Sequence, residues 1–217
     1  MLFLYKRGDI SMKNQKETKA KLLLSAKQEF LEKGYMQASL RNICKNAGVT
    51  TGALYFFFQD KEDLFAALVE EPLDNMYQLM VQHYEEEISH ITQINIGLTS
   101  KEDVSEDLKV AQSIIHYMYQ YYDEFQLILT KSQGSRFEQS IDRFVEITEK
   151  HYRYVADRIS TQVDAEKIND YVIHWIAHMQ INAFVHMLTH EQSEEAAQKH
   201  IETTIKYLVS GWFGMFR

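Results

Sequence analysis

The chain has 217 residues, of which 45% are hydrophobic and 25% charged, enough apolar material to bury a core and too much for a disordered polyelectrolyte. Its apolar runs, such as Ala53 to Phe58, are too short to cross a bilayer, and Cys44 is the single cysteine, which excludes an internal disulfide and any multi-cysteine metal centre. The net charge of −8 is unevenly divided: residues 1–59 carry ten Lys/Arg against four Asp/Glu (+6) and residues 60–217 the remaining −14, so only the N-terminal part suits a phosphate backbone.

With eight glycines and one proline, the sequence reads as all-α, about nine or ten helices. Residues 1–15 are expected as a disordered arm. They contain a second methionine, Met12, at which translation is expected to start in the cell, and the basic run Lys13, Lys16, Lys19 and Lys21 follows. No secretory signal is read there, because Lys6 and Arg7 follow the apolar start instead of preceding it, so a cytoplasmic protein with no membrane partner is expected.

From Lys16 to Lys33, Leu23, Ala26, Phe30 and Leu31 mark one stripe of an amphipathic helix that Gly34 can end. Ser39 offers an N-cap for a short helix with Leu40, Ile43, Cys44 and Ala47 inward, and Gly48 supplies the turn after it. Thr50 caps a third helix with Leu54 and Phe58 inward, and Asp60 caps a fourth. Pro72 is expected to stop or kink that fourth helix and to mark a boundary between an N-terminal domain, 1–71, and a larger one, 72–217. Further helices are expected near 73–95, 101–122, 123–132, 135–161, 166–190 and 193–215.

Two short amphipathic helices around a glycine turn, from Leu40 to Phe56, make a helix-turn-helix whose second helix enters the major groove. Ala26, Phe30, Glu32-Lys33-Gly34-Tyr35, Ser39 to Ile43, Ala47-Gly48-Val49, Gly52, Leu54-Tyr55, Phe58, Lys61-Glu62 and Leu64 together resemble the TetR family of bacterial regulators, over roughly Lys16 to Leu68. The resemblance implies a dimeric one-component regulator, usually a repressor, that binds a palindromic double-stranded DNA operator and is released by a small-molecule effector. It implies that Tyr55 and Lys61 contact phosphates and that Arg41, Thr50, Thr51 and Ala53 lie at or near the DNA. Gly52 and Phe56 complete the candidate DNA-facing set. Cys44 departs from the alanine common in the family, and Phe57 from the usual His or Tyr. Lys61 adds a physical hint, because a cation in a helix's first turn opposes the dipole and needs another reason to be there, such as a phosphate.

In the second domain, Tyr117, Met118, Tyr121, Phe125, Tyr154, Trp175 and Met179 are the candidate effector-lining residues, an aromatic and Met-rich set suited to an apolar cavity. The last two helices carry broad apolar stripes, and the resemblance implies that they pair with a second subunit, with Ile176, Phe184, Ile205, Leu208 and Trp212 as the candidate interface. The pairs His174/His178 and His186/His190 have the i, i+4 spacing of metal chelators but lack a third clustered ligand, so no metal and no cofactor is assigned. No Gly-x-Ser-x-Gly, phosphate loop or His-Glu-x-x-His motif supports the competing reading as a helical-bundle enzyme. A purely architectural DNA-binding protein without effector is the third reading, and it leaves the acidic C-terminal domain without a purpose.

Overall fold

The computed structural model describes residues 2–90 and 101–216, with side chains described for 14–89 and 105–216. Among these residues the fold is all-α: α1 Leu2–Gln37, α2 Leu40–Ala47, α3 Thr51–Phe57, α4 Lys61–His90, α5 Lys101–Gln120, α6 Tyr122–Gln126, α7 Asp142–Val163, α8 Asp170–His190 and α9 Glu194–Gly214. A π-helical turn, Leu127–Lys131, continues α6. The described chain divides into two compact units, one made of residues 1–72 and 123–138, the other of 73–122 and 139–217.

In the first unit α1 begins at Leu2, so the segment expected as an arm lies in helix from there on. Its buried face is Leu22, Ser25, Ala26, Glu29 and Phe30, with Leu23 and Leu31 at the edges, a register one residue away from the apolar stripe in the sequence. The two polar residues are inside because they bond α2. The Ser25 hydroxyl donates to the Ile43 carbonyl (2.9 Å), while Glu29 Oε1 accepts from the Ser39 amide (3.2 Å) and the Asn42 side-chain amide (3.4 Å). Gly34 ends the regular part of α1 at φ +73.

An aromatic cluster closes this unit. Phe65 meets Phe30 edge-on at 5.0 Å, Tyr35 at 5.3 Å and Phe137 at 5.9 Å between ring centres. Phe137 comes from residues 132–141, of which 135–141, expected as the start of a long helix, are folded as turns. Here serines compete with the helix for backbone groups: Ser132 Oγ donates to the Ile128 carbonyl (2.6 Å), and Ser135 Oγ accepts from the Phe137 amide (3.1 Å). Gly134 sits at φ +80, where an added Cβ would lie 2.8 Å from Met36 Cγ.

Pro72 neither ends nor interrupts α4, which runs on to His90. The ring costs the helix one amide donor, and the buried residues on both sides, Leu64, Phe65, Leu68 and Val69 before it and Leu73, Met76, Met80 and Tyr84 after it, hold both halves in place. The division between the units nonetheless falls at Pro72. The expected extension of the helix to 95 lies outside the described residues.

The core of the second unit gathers Val155, Ala156 and Ile159 of α7, Ile173 and Ile176 of α8, and Trp212 of α9. Beneath it lies a buried polar network. Tyr84 and Thr148 share a hydroxyl hydrogen bond (2.9 Å), Tyr84 stacks on His151 at 4.2 Å, and His151 Nε2 lies 3.1 Å from Glu87 Oε2, which His83 approaches at 3.7 Å. Burial holds His83 below its usual pKa near 6.5. Burial pushes the Glu87 carboxyl up, but the hydrogen bond and charge of His151, with the charge of His83, outweigh it and leave the group below its ordinary value. Both signs work against acid. Below about pH 6.5 the unfolded chain takes up a proton that His83 resists in the fold, and stability dependent on ionised Glu87 is lost as pH falls through its depressed pKa. The melting temperature read by circular dichroism is therefore expected to fall between pH 7.5 and 5.5, and to fall less in His83→Gln; equal sensitivity in both proteins would remove His83 from the account.

Candidate nucleic-acid interface

Local signals in the sequence build the α2–α3 unit. Ser39 caps α2 by accepting from the Asn42 amide (3.5 Å), and Gly48 closes it in the left-handed region at φ +67, ψ +31, its amide donating to the Lys45 carbonyl (3.2 Å). Thr50 caps α3 by accepting from the Ala53 amide (3.2 Å). Asp60 accepts from the Asp63 amide (2.8 Å) while Asp63 accepts from the Gln59 amide (2.9 Å), a reciprocal cap on α4.

These caps fix which face of each short helix turns outward. Ile43 and Cys44 of α2 and Leu54 of α3 are buried, and burial pushes the Cys44 thiol pKa up, away from reactive thiolate. On the outer face lie Arg41, Thr50, Thr51 and Gly52, with Ala53 half-buried, and two aromatic residues stand well out: Tyr55 is 56% and Phe56 68% exposed. The fold thus brings seven of the eight DNA-facing candidates together at α3 and the adjoining face of α2.

Lys61 differs. Its ammonium donates to the carbonyls of Tyr35 (2.7 Å), Met36 (3.2 Å) and Ala38 (3.5 Å) and sits 4.5 Å over the Tyr35 ring. A cation in the first turn of α4 is therefore explained by the end of α1, where unpaired carbonyls and the negative end of the dipole attract it, and no phosphate is needed to account for it. The Tyr35 hydroxyl donates to Glu62 Oε2 (2.7 Å), and with burial this pushes the phenol pKa up to about 12. This cation and hydroxyl fasten the end of α1 to the start of α4. Sequence reasoning missed the role of Lys61 because its partners lie 23 to 26 residues away.

Residues 22–68 match the family model of the bacterial regulatory proteins of the tetR family. Among curated relatives, the transcriptional repressor BepR of Brucella suis is 42% identical over 66 residues, 30% of this chain and 32% of that protein. The transcriptional regulator AcrR of Shigella flexneri is 30% identical over 139 residues, 62% of this chain and 64% of that protein. The chain thus spans less than two thirds of the length of each. A crystal structure of a TetR-family regulator from Syntrophomonas wolfei shares the fold at a TM-score of 0.55 and 21% identity, over 89% of this chain and 95% of that one.

Residues 22–68 are thus a TetR-family DNA-binding region.

Beyond the region that matches the TetR model, the second unit sorts the remaining candidates differently from the sequence. Of the seven effector candidates, six lie in the second unit, and two of these, Trp175 and Met179, line one groove. Phe125 belongs to the first unit, where it is buried; Met118 is buried in α5; Tyr117 and Tyr121 pair at 4.9 Å; and Tyr154 is 40% exposed. Trp175 and Met179 line a groove of about 720 Å³ on α8, with His178, His186, His190 and, from α9, His200 and Thr204. Aromatic composition alone does not separate core, surface and groove, which is why the set scattered.

Four of the five interface candidates, Ile176, Phe184, Ile205 and Trp212, are buried within their own unit, and Leu208 is half-buried. α8 packs mainly on α7 and α9 mainly on α5, with a smaller contact between α8 and α9, and the large side chains that these two helices leave outside are Tyr171, Trp175 and Tyr207. Among the described residues no cluster of three or more His, Cys, Asp or Glu could hold a metal. His174 Nδ1 instead lies 2.8 Å from Glu149, and the His186 and His190 rings stack at 3.9 Å. No helix among the described residues is long and apolar enough to cross a membrane.

Proposed function

We propose that this protein is a one-component transcriptional regulator. Residues 1–71 bind operator DNA, residues 72–217 bind a small-molecule effector and dimerise, and effector binding releases the operator. The observation that carries the reading is the outer face of α3, where Thr51, Gly52, Tyr55 and Phe56 stand exposed on a rigidly capped helix at the basic end of the chain. Such a face suits the major groove, where helix N-terminal residues meet base edges while Arg and Tyr hydroxyl donors position the backbone.

Tyr171 and Trp175 of α8 and Tyr207 of α9 are the side chains proposed to meet a second copy, since a palindromic operator calls for two recognition helices. The buried polar network of the second unit supplies the few polar groups that an apolar effector site needs for orientation, and His151 Nδ1 has no hydrogen-bond partner among the described residues. An effector that prefers the DNA-incompetent state a hundredfold contributes about 2.7 kcal/mol of coupling, enough to release DNA. Repression is the proposed outcome, in keeping with the repressor name carried by the Brucella relative.

Selection of binding sites from a random duplex pool by the full-length protein tests this reading. Enrichment of one inverted repeat is expected; an unstructured, uniformly enriched pool would favour an architectural protein instead.

A further inference from the structure

Phe56 is 68% exposed on α3, and its ring is held on one side by Phe57, edge to face at 4.9 Å. Gly52 lies one helical turn before it. Helical side chains lean toward the N-terminus, so residue 56 covers the turn that carries residue 52. At that turn the fold does not require a glycine. Its backbone is not left-handed, and an added Cβ would meet only Thr50 Oγ1, at an ordinary 3.9 Å. Glycine inside a helix nonetheless costs about 1 kcal/mol relative to alanine. The result is an open notch of bare backbone at Gly52, one helical turn before an exposed phenyl ring braced by Phe57 and with the Thr50 hydroxyl at its edge, in the first turns of α3.

We infer that this notch reads the C5-methyl group of a thymine in each operator half-site; the inference rests on the DNA-binding reading above. A phenyl ring neither donates nor accepts hydrogen bonds, and the thymine methyl is the apolar group that the four bases display in the major groove. Guanine, cytosine and adenine present polar edges there, and facing the ring would leave them unpaired. The +6 charge of residues 1–59 brings the duplex to this face without choosing a sequence, so the choice must come from such base contacts.

The test uses the full-length protein and the site selected from the random duplex pool, resynthesised with each symmetric pair of thymines replaced in turn by deoxyuridine, which lacks the methyl and keeps the pairing edge. Replacement at one symmetric pair is expected to weaken binding about fourfold per methyl, with other pairs changing it less than twofold. Phe56→Ala is expected to bind the thymine site correspondingly more weakly and to bind both versions equally. Gly52→Ala, which keeps the fold, is expected to fill the notch and lose the distinction as well. Uracil tolerated at every position, or discrimination that survives Phe56→Ala, would overturn the inference while leaving the regulator reading intact. A pool that yields no site would overturn both.

Discussion

Phe65→Ala is expected to destabilise the first unit by about 3–5 kcal/mol, the usual cost of deleting a fully buried aromatic ring. Phe65 is completely buried and is the common partner of Phe30 and Tyr35, which it meets edge to face, and of Phe137, which it meets at a tilt, so its removal leaves three rings without that contact. These three rings come from α1, its end and the turns before α7, and neighbours from such separated segments cannot collapse together into the space. A unit of this size loses roughly 4–8 °C of melting temperature per kcal/mol. Circular dichroism melts should show a large early transition, with DNA binding lost over the same range. A melt unchanged within 2–3 °C, the shift expected from well under about 1 kcal/mol, would mean that the cluster does not hold the unit.

Lys61→Ala is expected to act on stability more than on DNA contact. The ammonium serves three carbonyls at the end of α1 and covers the Tyr35 ring, and it is partly exposed, so its loss should cost about 1–2 kcal/mol. The melting temperature should drop, while affinity for DNA measured well below the transition should change little. The opposite pattern, weak DNA binding with an unchanged melt, would return Lys61 to the phosphate role that the family resemblance implies.

Parts of the structure set by neighbours within four residues were readable in the sequence. Ser39, Gly48, Thr50 and Asp60 each act on backbone groups beside them, so composition and spacing placed α2, the turn and α3. Placing the outer face of α3 then required little more than knowing that Leu54 points inward. Where the deciding partner is distant, the sequence misled. The face of α1 is set by Ile43 and Ser39 on α2, which draw Ser25 and Glu29 inside and shift the stripe by one residue. Residues 132–141 have helix-compatible spacing, but their serine hydroxyls take the backbone bonds that a helix would need.

The same limit governs α8 and α9. Both helices are apolar over more than one face, and periodicity does not say which face of α8 meets α7, which face of α9 meets α5, and which is left over. Ile176 and Trp212 proved to be core, and Trp175, adjacent to Ile176, proved to be surface. Pro72 shows a different limit, since a proline cost of about 3 kcal/mol in a helix interior does not end α4, which has buried residues on both sides of it.

The most direct test of the central claim is a fluorescence-anisotropy titration of the full-length protein against the duplex flanking its own gene. A scrambled duplex of equal length at the same salt, and Tyr55→Ala, serve as comparisons. Tyr55 is exposed and no described residue hydrogen-bonds its hydroxyl, so the variant should fold normally. The account predicts selective binding by the wild-type protein, at least a hundredfold tighter than to scrambled DNA in line with about 10³ or more for specific regulators, and a loss of about tenfold or more in the variant. Equal weak binding of both duplexes, or an affinity indifferent to Tyr55, would contradict it.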